Sequence, residues 1–358
     1  MTDFLIVGRG LAASVIMYRF AEAGISFKTI GKEDLSRSSQ VAGGLWNPVV
    51  FKRMTSSWMA HTLVPELLEF YTRCEQMTGK KILYQRNIAK PFTEDQEKML
   101  WKKRAVNELA GFLDPRLDLV EHEELAHCKA RLGYGTVLKS GFVDMKSFLK
   151  ATTRFFEKNI VDEAFDHALL EIKENVVTYN THRARNILFC EGYLVKNNPY
   201  FNWIPLKPAK GETLKIKAPA LALHNTIFNR NGFILRLPDG NFKVGATYEW
   251  NDQNDVPTQK ALDELRHKLS QMIACDYEIV EHEAGVRPSS IDRRPIIGRH
   301  PEYGNNYIFN GLGTKGVMLA PYLRKKFVFF YLQKQILERE VNVERFRSFY
   351  EASKKSKD

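Results

Sequence analysis

The feature that most constrains this chain is Gly8-Arg-Gly10-Leu-Ala-Ala13, set directly behind the apolar run Phe4–Val7. A glycine turn of this form, entered from a strand and leaving into a helix, is the phosphate-binding turn of dinucleotide folds. Gly8 permits the tight turn, Gly10 leaves space for a pyrophosphate, and Ala13 lets the helix close on the strand. Leu11 opens that helix, whose first amides lack partners within it and stabilise phosphate charge. The spacing predicts a helix from about Leu11 to Ala23, stopped by Gly24, and a second strand from about Ser26 to Ile30. The acid that usually receives the adenosine ribose should end the second strand, but Gly31 and Lys32 stand there. Glu33, the first carboxylate beyond the strand, is the expected substitute, against a solvated loop acid. The plain alternative to a ligand site is an ordinary strand-to-helix turn.

At 358 residues the chain exceeds what one compact core usually supports, so two domains are expected. No opening run has the long apolar core of a signal peptide, and Phe327–Leu332 is too short to cross a bilayer. A cytoplasmic protein without a membrane anchor is the simplest expectation. Cys74, Cys128, Cys190 and Cys275 form no CxxC pair or Cys/His cluster, so neither a metal site nor a local redox disulfide is expected. The net charge of +11 would attract anionic substrates or a nucleic-acid backbone. No zinc finger, RNA-reading aromatic motif or basic recognition helix accompanies it, so a nucleic-acid partner is not expected.

Further along, Trp58 to about Glu108 reads as mainly helical, with segments at Thr62–Gln76 and Glu94–Leu109. Gly141–Met145 precedes a helical stretch from about Lys146 to Lys158, and residues 170–190 read as short strands. Gly232–Leu237 and Asn241–Ala246 flank Pro238-Asp-Gly240 and read as a β-hairpin. Helices are expected near Thr258–Ala274 and over Val317–Leu337. The order suggests a nucleotide-binding domain in separated pieces (1–57, 141–196 and 285–345), interrupted by a substrate domain (58–140 and 197–284). Residues 346–358 read as a polar tail.

The separated blocks resemble the D-amino-acid oxidase and glycine oxidase family of FAD enzymes. The resemblance begins with GRGLAA at 8–13 and SSQVAGGLWNP at 38–48, then GFVD at 141–144 and ILFCEG at 187–192. It continues through KGETL at 210–214, VGATYE at 244–249, GVRPSSIDRRPIIG at 285–298 and NGLGTKG at 310–316. Their order is more specific than any single glycine motif. It implies an α/β fold: a Rossmann-like FAD-binding domain with an interleaved α+β substrate domain containing an antiparallel sheet.

Residue chemistry supports several of these blocks. Gly43 and Gly44 allow backbone to approach a flat cofactor, Leu45 and Trp46 offer apolar surface, and Asn47 both donates and accepts hydrogen bonds. The resemblance runs this stretch beside the flavin ring; the alternative makes Trp46 simply a core residue. Cys190 and Gly192 close the nucleotide domain near the cofactor in the same reading, and Cys190 has no sequence-local base that would make it a nucleophile. Gly311, Gly313 and Gly316 expose amides before a long helix, Thr314 adds a hydroxyl and Lys315 a charge, a combination suited to stabilising reduced flavin.

Arg287, in Gly285-Val-Arg-Pro288, is the sharpest substrate signal, because its planar fork binds a carboxylate through two hydrogen bonds. The resemblance implies that it anchors the substrate carboxylate, with a structural salt bridge as the alternative. Tyr248, Arg236, Glu249 and Lys210 are weaker substrate-binding candidates, and no acid–base catalyst can be selected. The implied reaction is hydride transfer from an amino acid or related carboxylate-bearing amine to FAD, with oxygen or another group as electron acceptor. Sarcosine oxidases, which share this fold, attach flavin to a cysteine after the late Arg-Pro pair. Here Ser289–Arg293 holds no cysteine, so noncovalent FAD is expected. Three alternatives stay open: oxidation of a hydroxy acid, of an amine on a larger molecule such as modified RNA, or a nonenzymatic FAD-binding role.

Overall fold

The strand Thr2–Val7 is buried from Phe4 onward and leads through Gly8 into the helix Leu11–Glu22. The computed structural model to which these elements belong describes residues 1–32, 38–118 and 122–355. Thr2–Val7 lies in the middle of a large sheet, flanked in parallel by Phe27–Ile30 and His182–Phe189. Ile160–Val161 and Asn306–Asn310 extend the parallel set on either side, and the meander Leu170–Lys173, Val176–Tyr179 pairs antiparallel onto His182–Phe189. The expected Rossmann-like arrangement is therefore present. Helices Leu11–Glu22 and Gly316–Gln333 cover one face through a core that includes Phe4, Phe20, Leu323 and Phe327.

A second sheet runs in the order Glu278–Arg287, Ala209–Lys217, Phe242–Gly245, Phe233–Arg236, Thr226–Asn229, Asn87–Pro91, Tyr134–Val137, Leu113–Leu117. Thr226–Asn229 and Asn87–Pro91 pair in parallel, and the remaining neighbours are antiparallel. The expected hairpin is there, with Phe233 opposite Gly245 and Arg236 opposite Phe242. Gln259–Met272, capped by the Thr258 side chain on the Ala261 amide, buries Leu265 and Leu269 against this sheet.

The stretch from Trp58 to Glu108 is mainly helical, as expected, with helices Ala60–Thr78 and Asp95–Ala105, but strands Leu83–Gln85 and Asn87–Pro91, not foreseen, lie between them. Their β-pairing depends on partners more than forty residues away, which local pattern does not reveal. One expectation needs correction: residues 346–355 are not a polar tail. They form the helix Arg347–Lys355 after the turn Val343–Phe346, and Tyr350 packs on Trp203 and His300. The helix has one apolar edge in a charged surround, so composition alone reads as solvated.

Candidate functional site

The long pair formed by Ala209–Lys217 and Glu278–Arg287 carries the second sheet to the nucleotide half of the molecule. Gly211 lies opposite Gly285 in this pair, and a Cβ on Gly285 would stand 3.0 Å from the Ser38 Cα. The missing side chain lets the strand approach the helix Ser38–Val41 and deliver Arg287 into a cavity of about 690 Å³, lined from both sheets.

At the nucleotide end, Gly8 has φ +107°, and a Cβ there would meet the Cys190 carbonyl at 2.5 Å. Only glycine fits this crossing of two strand ends. Gly8, Gly10 and Leu11 line the cavity, and so do Cys190 and Gly192 from the neighbouring strand end. The helix Leu11–Glu22 starts here without an acid in its first turn, and the Ser39 hydroxyl accepts from the Leu11 amide at 3.1 Å. Such an end favours an anion. Ala13 is fully buried and stands behind the turn, where it allows packing and does not line the cavity. Burial pushes the Cys190 thiol well above its usual range, consistent with a packing residue.

The end of the second strand is organised around Arg9. Its side chain lies across Gly31, where a Cβ would stand 2.9 Å from the Arg9 Cγ, and its Nη1 donates to the Gly31 carbonyl and to Asp162. A side chain at position 31 would displace the arginine, which gives a physical reason for the absent acid. Glu33, the expected ribose contact, lies outside the described residues.

Gly43, Gly44, Leu45 and Asn47 line the middle of the cavity. Gly44, at φ +64°, faces Val143 so closely that a Cβ would fall 1.8 Å from its carbonyl oxygen. Trp46 points the other way: it is 1% exposed, donates from Nε1 to the Lys139 carbonyl and belongs to the core. The expectation of a Trp46 cofactor contact is corrected, since alternate residues of an extended strand face opposite sides.

Gly313, Thr314, Lys315 and Gly316 line the cavity at the start of the helix Gly316–Gln333. Gly311 does not; it turns the chain against Ile296. Lys315 donates to the Ser57 hydroxyl, which in turn donates to the Asn47 carbonyl. Burial pushes its amine down to about 8, and no carboxylate pairs with it among the described residues.

Arg287 also lines this cavity without a carboxylate partner among the described residues. Its Nη1 donates to the carbonyls of Lys210 and Thr247, each at 3.3 Å, and its guanidinium lies 4.5 Å from the Tyr248 ring centroid. Burial disfavours its charged form, while Tyr248 acts in the opposite direction. Gly211 makes room for the fork, because a Cβ there would stand 1.9 Å from Nη2. That role was not read from the sequence.

The other substrate candidates are placed elsewhere. Lys210 turns its ammonium away from the cavity, 1% exposed, and donates to Asp252, Asn254 and the Val256 carbonyl at 2.6, 2.8 and 2.5 Å. Glu249 takes hydrogen bonds from Lys260 and from the amides of Trp250 and Asn251, which hold its carboxyl down at about 2. Arg236 contacts His224 outside the cavity. These three are corrected to structural residues: in a sheet and its loops, side-chain direction follows cross-strand register, and the sequence alone did not fix that register. Glu191 and His167 also line the cavity, with Nε2 of the histidine 2.9 Å from the carboxylate but not aligned for a hydrogen bond. Glu191 stands within the ILFCEG block at 187–192 but was given no role there, and no motif marked His167. Ser57 was likewise missed.

This arrangement fits FAD. A helix start free of acids and a glycine turn suit its pyrophosphate, a glycine-lined middle admits a flat ring, and buried Lys315 offers a cation beside a second helix start. Asn47 and the 313–316 turn would lie beside the ring system, with Ser57 supporting them from behind through Lys315 and the Asn47 carbonyl.

Comparison with known proteins converges on the same fold. The family model described as FAD dependent oxidoreductase matches residues 3–325. A glycine oxidase of Bacillus licheniformis is 33% identical over 116 residues, which cover 32% of this chain and 31% of that enzyme. The bifunctional protein MnmC of tRNA 5-methylaminomethyl-2-thiouridine biosynthesis from Marinobacter nauticus is 30% identical over 132 residues, covering 33% of this chain and 21% of its own. The chain thus aligns with about a third or less of these relatives' lengths. The crystal structure of glycine oxidase from Bacillus cereus superposes with a TM-score of 0.75 at 20% identity, covering 94% of this chain and 96% of that one. At that identity the likeness is one of fold.

Proposed function

The chain belongs to the family of FAD-dependent oxidoreductases, and on that premise we propose that it oxidises an amino acid or a related carboxylate-bearing amine. The observation that carries this reading is Arg287: a cation in the cavity wall, fixed by two carbonyls and a tyrosine ring, with no carboxylate partner among the described residues. A cation held in that way is a ready anchor for an anion. The glycine oxidases among its relatives agree with a small amino-acid substrate.

Each group then has a definite task. Arg287 holds the carboxylate through Nε and Nη2, the edge that the Lys210 and Thr247 carbonyls leave free. Tyr248 keeps the guanidinium plane in place. FAD, when bound, would supply the two-electron chemistry as acceptor of the hydride from the carbon beside the amine. The amine must be uncharged for that step, and the resulting imine hydrolyses to an oxo product. Lys315, held by Ser57, places positive charge beside the cofactor's segment. FAD is held noncovalently in this reading, because Ser289–Arg293 supplies no cysteine.

Anaerobic mixing of the FAD-loaded protein with glycine, sarcosine, D- and L-amino acids and matched hydroxy acids tests the proposal. Amines with a free carboxylate should bleach the flavin absorbance. Bleaching by hydroxy acids alone would replace the amine reading, and bleaching by no member would remove its support.

A further inference from the structure

The loop that carries Tyr248 continues to Trp250 and Val256, and it is tied down at both ends while its apolar groups stand in water. Tyr248, Trp250 and Val256 are 54%, 39% and 62% exposed. Beneath them, Lys210 fixes Asp252, Asn254 and Val256, and Lys260 fixes Glu249. Backbone bonds in both directions between Lys210 and Glu249 complete the clamp. Exposed loop tips are normally polar, and a rigid one that displays two large rings forgoes their burial.

The rings form a path. The Arg287 guanidinium lies 4.5 Å from the Tyr248 ring, Tyr248 stacks with Trp250 at 6.5 Å, and Lys207 lies 5.3 Å from the Trp250 ring. Tyr248 still lines the cavity, while Trp250 stands one ring further out. Across the mouth, Tyr193 and Leu194 line the cavity, and Lys196 bridges from the Tyr193 ring to Gln253 of the clamped loop.

We propose that this rim is a subsite for a flat ring carried by the amine substrate beyond its carboxylate, with Trp250 as the stacking surface. The inference rests on Arg287 as carboxylate anchor, since the path starts there. A free two-carbon amino acid would leave the rim unused. A substrate whose side chain or nitrogen substituent ends in an aromatic or heteroaromatic ring would reach it. Lys207 and Lys196 favour a ring that bears negative charge on its outer side.

Binding separates this proposal from the oxidation chemistry. Methoxyacetate and benzyloxyacetate carry the carboxylate with an ether in place of the amine, and their binding is read from perturbation of the bound flavin's absorbance. Benzyloxyacetate should bind about tenfold more tightly than methoxyacetate, the scale of one well-placed aromatic contact. Trp250→Ala should remove most of that ratio and Trp250→Phe should keep it. A 4-carboxybenzyl ether should gain further, and lose that gain in Lys207→Ala. Equal affinities in wild type, or a ratio unmoved by Trp250→Ala, would overturn the subsite. Kinetics with N-benzylglycine and sarcosine extend the comparison to catalysis. If the binding ratio holds and neither amine reduces flavin, the amine reading fails and the ring subsite stands.

Discussion

Lys315 shows how a single residue ties the cofactor region to stability. Its amine lies in the cavity wall, bonded to Ser57, and burial pushes it down to about 8. Below about pH 8 both the folded and unfolded chains hold the proton, and the folded chain bears the whole desolvation penalty. Between about 8 and the ordinary lysine value near 10.5, only the unfolded chain keeps it, so stability rises with pH. FAD-free protein is therefore expected to resist urea better at pH 9.5 than at pH 7. Lys315→Met should raise stability at pH 7 and flatten that rise; an unchanged slope would show that the amine is well solvated. The residue was legible as a candidate because it sits in a glycine turn before a helix. Its bond to Ser57, 258 positions away, was not.

At the scale of elements, the pair Ala209–Lys217 and Glu278–Arg287 decides where the anchor goes. Gly211→Ala would put a methyl group where the Arg287 fork lies, 1.9 Å from Nη2. The expected result is retained FAD binding with affinity for carboxylate ligands reduced about tenfold or more, read by flavin titration. Loss of FAD together with carboxylate binding would mean that the strand itself had moved. This pair also shows what sequence can and cannot reveal. The glycine turn at 8–13 was readable because its strand, turn and helix are contiguous, and Arg287 was readable from its Gly-Val-Arg-Pro setting. Lys210 and Glu249 lie on neighbouring positions of one bridged pair, yet both side chains serve the loop instead of the cavity. Their direction follows from cross-strand register and loop hydrogen bonds, and composition records neither. The strands between Leu83 and Pro91 escaped for the same reason.

At the scale of the molecule, the C-terminal helix completes the nucleotide half, with His300 beneath it. His300 is 3% exposed among Phe201, Trp203, Tyr303 and Tyr350, and burial pushes its imidazole down to about 4. Above about pH 6.5 both states are neutral there; as pH falls towards 4, only the unfolded chain takes the proton, so stability is lost across that window. The full effect is about 3 kcal/mol, and His300→Asn should abolish it in urea unfolding followed from pH 7 to 4. An equal loss in the variant would assign acid sensitivity elsewhere. Among the described residues no helix is long and apolar enough to cross a membrane. Denaturing the FAD-loaded protein should release all its flavin into solution, and flavin left on the chain would contradict noncovalent binding.

The two halves meet at one cavity, with glycine turns and helix starts from the first and Arg287 from the second. The account stands or falls on that meeting. Its most direct measurement is anaerobic flavin reduction by the best amine substrate and by its amide, in wild type and in Arg287→Lys. Lysine keeps the charge but loses the two-pronged fork, which should cost about one to two powers of ten in the carboxylate reaction. Wild type should strongly prefer the free carboxylate. Arg287→Lys should bind FAD normally and lose most of that preference through slower reaction of the acid. Unchanged rates and unchanged preference, with FAD still bound, would contradict Arg287 as the anchor and with it the proposed function.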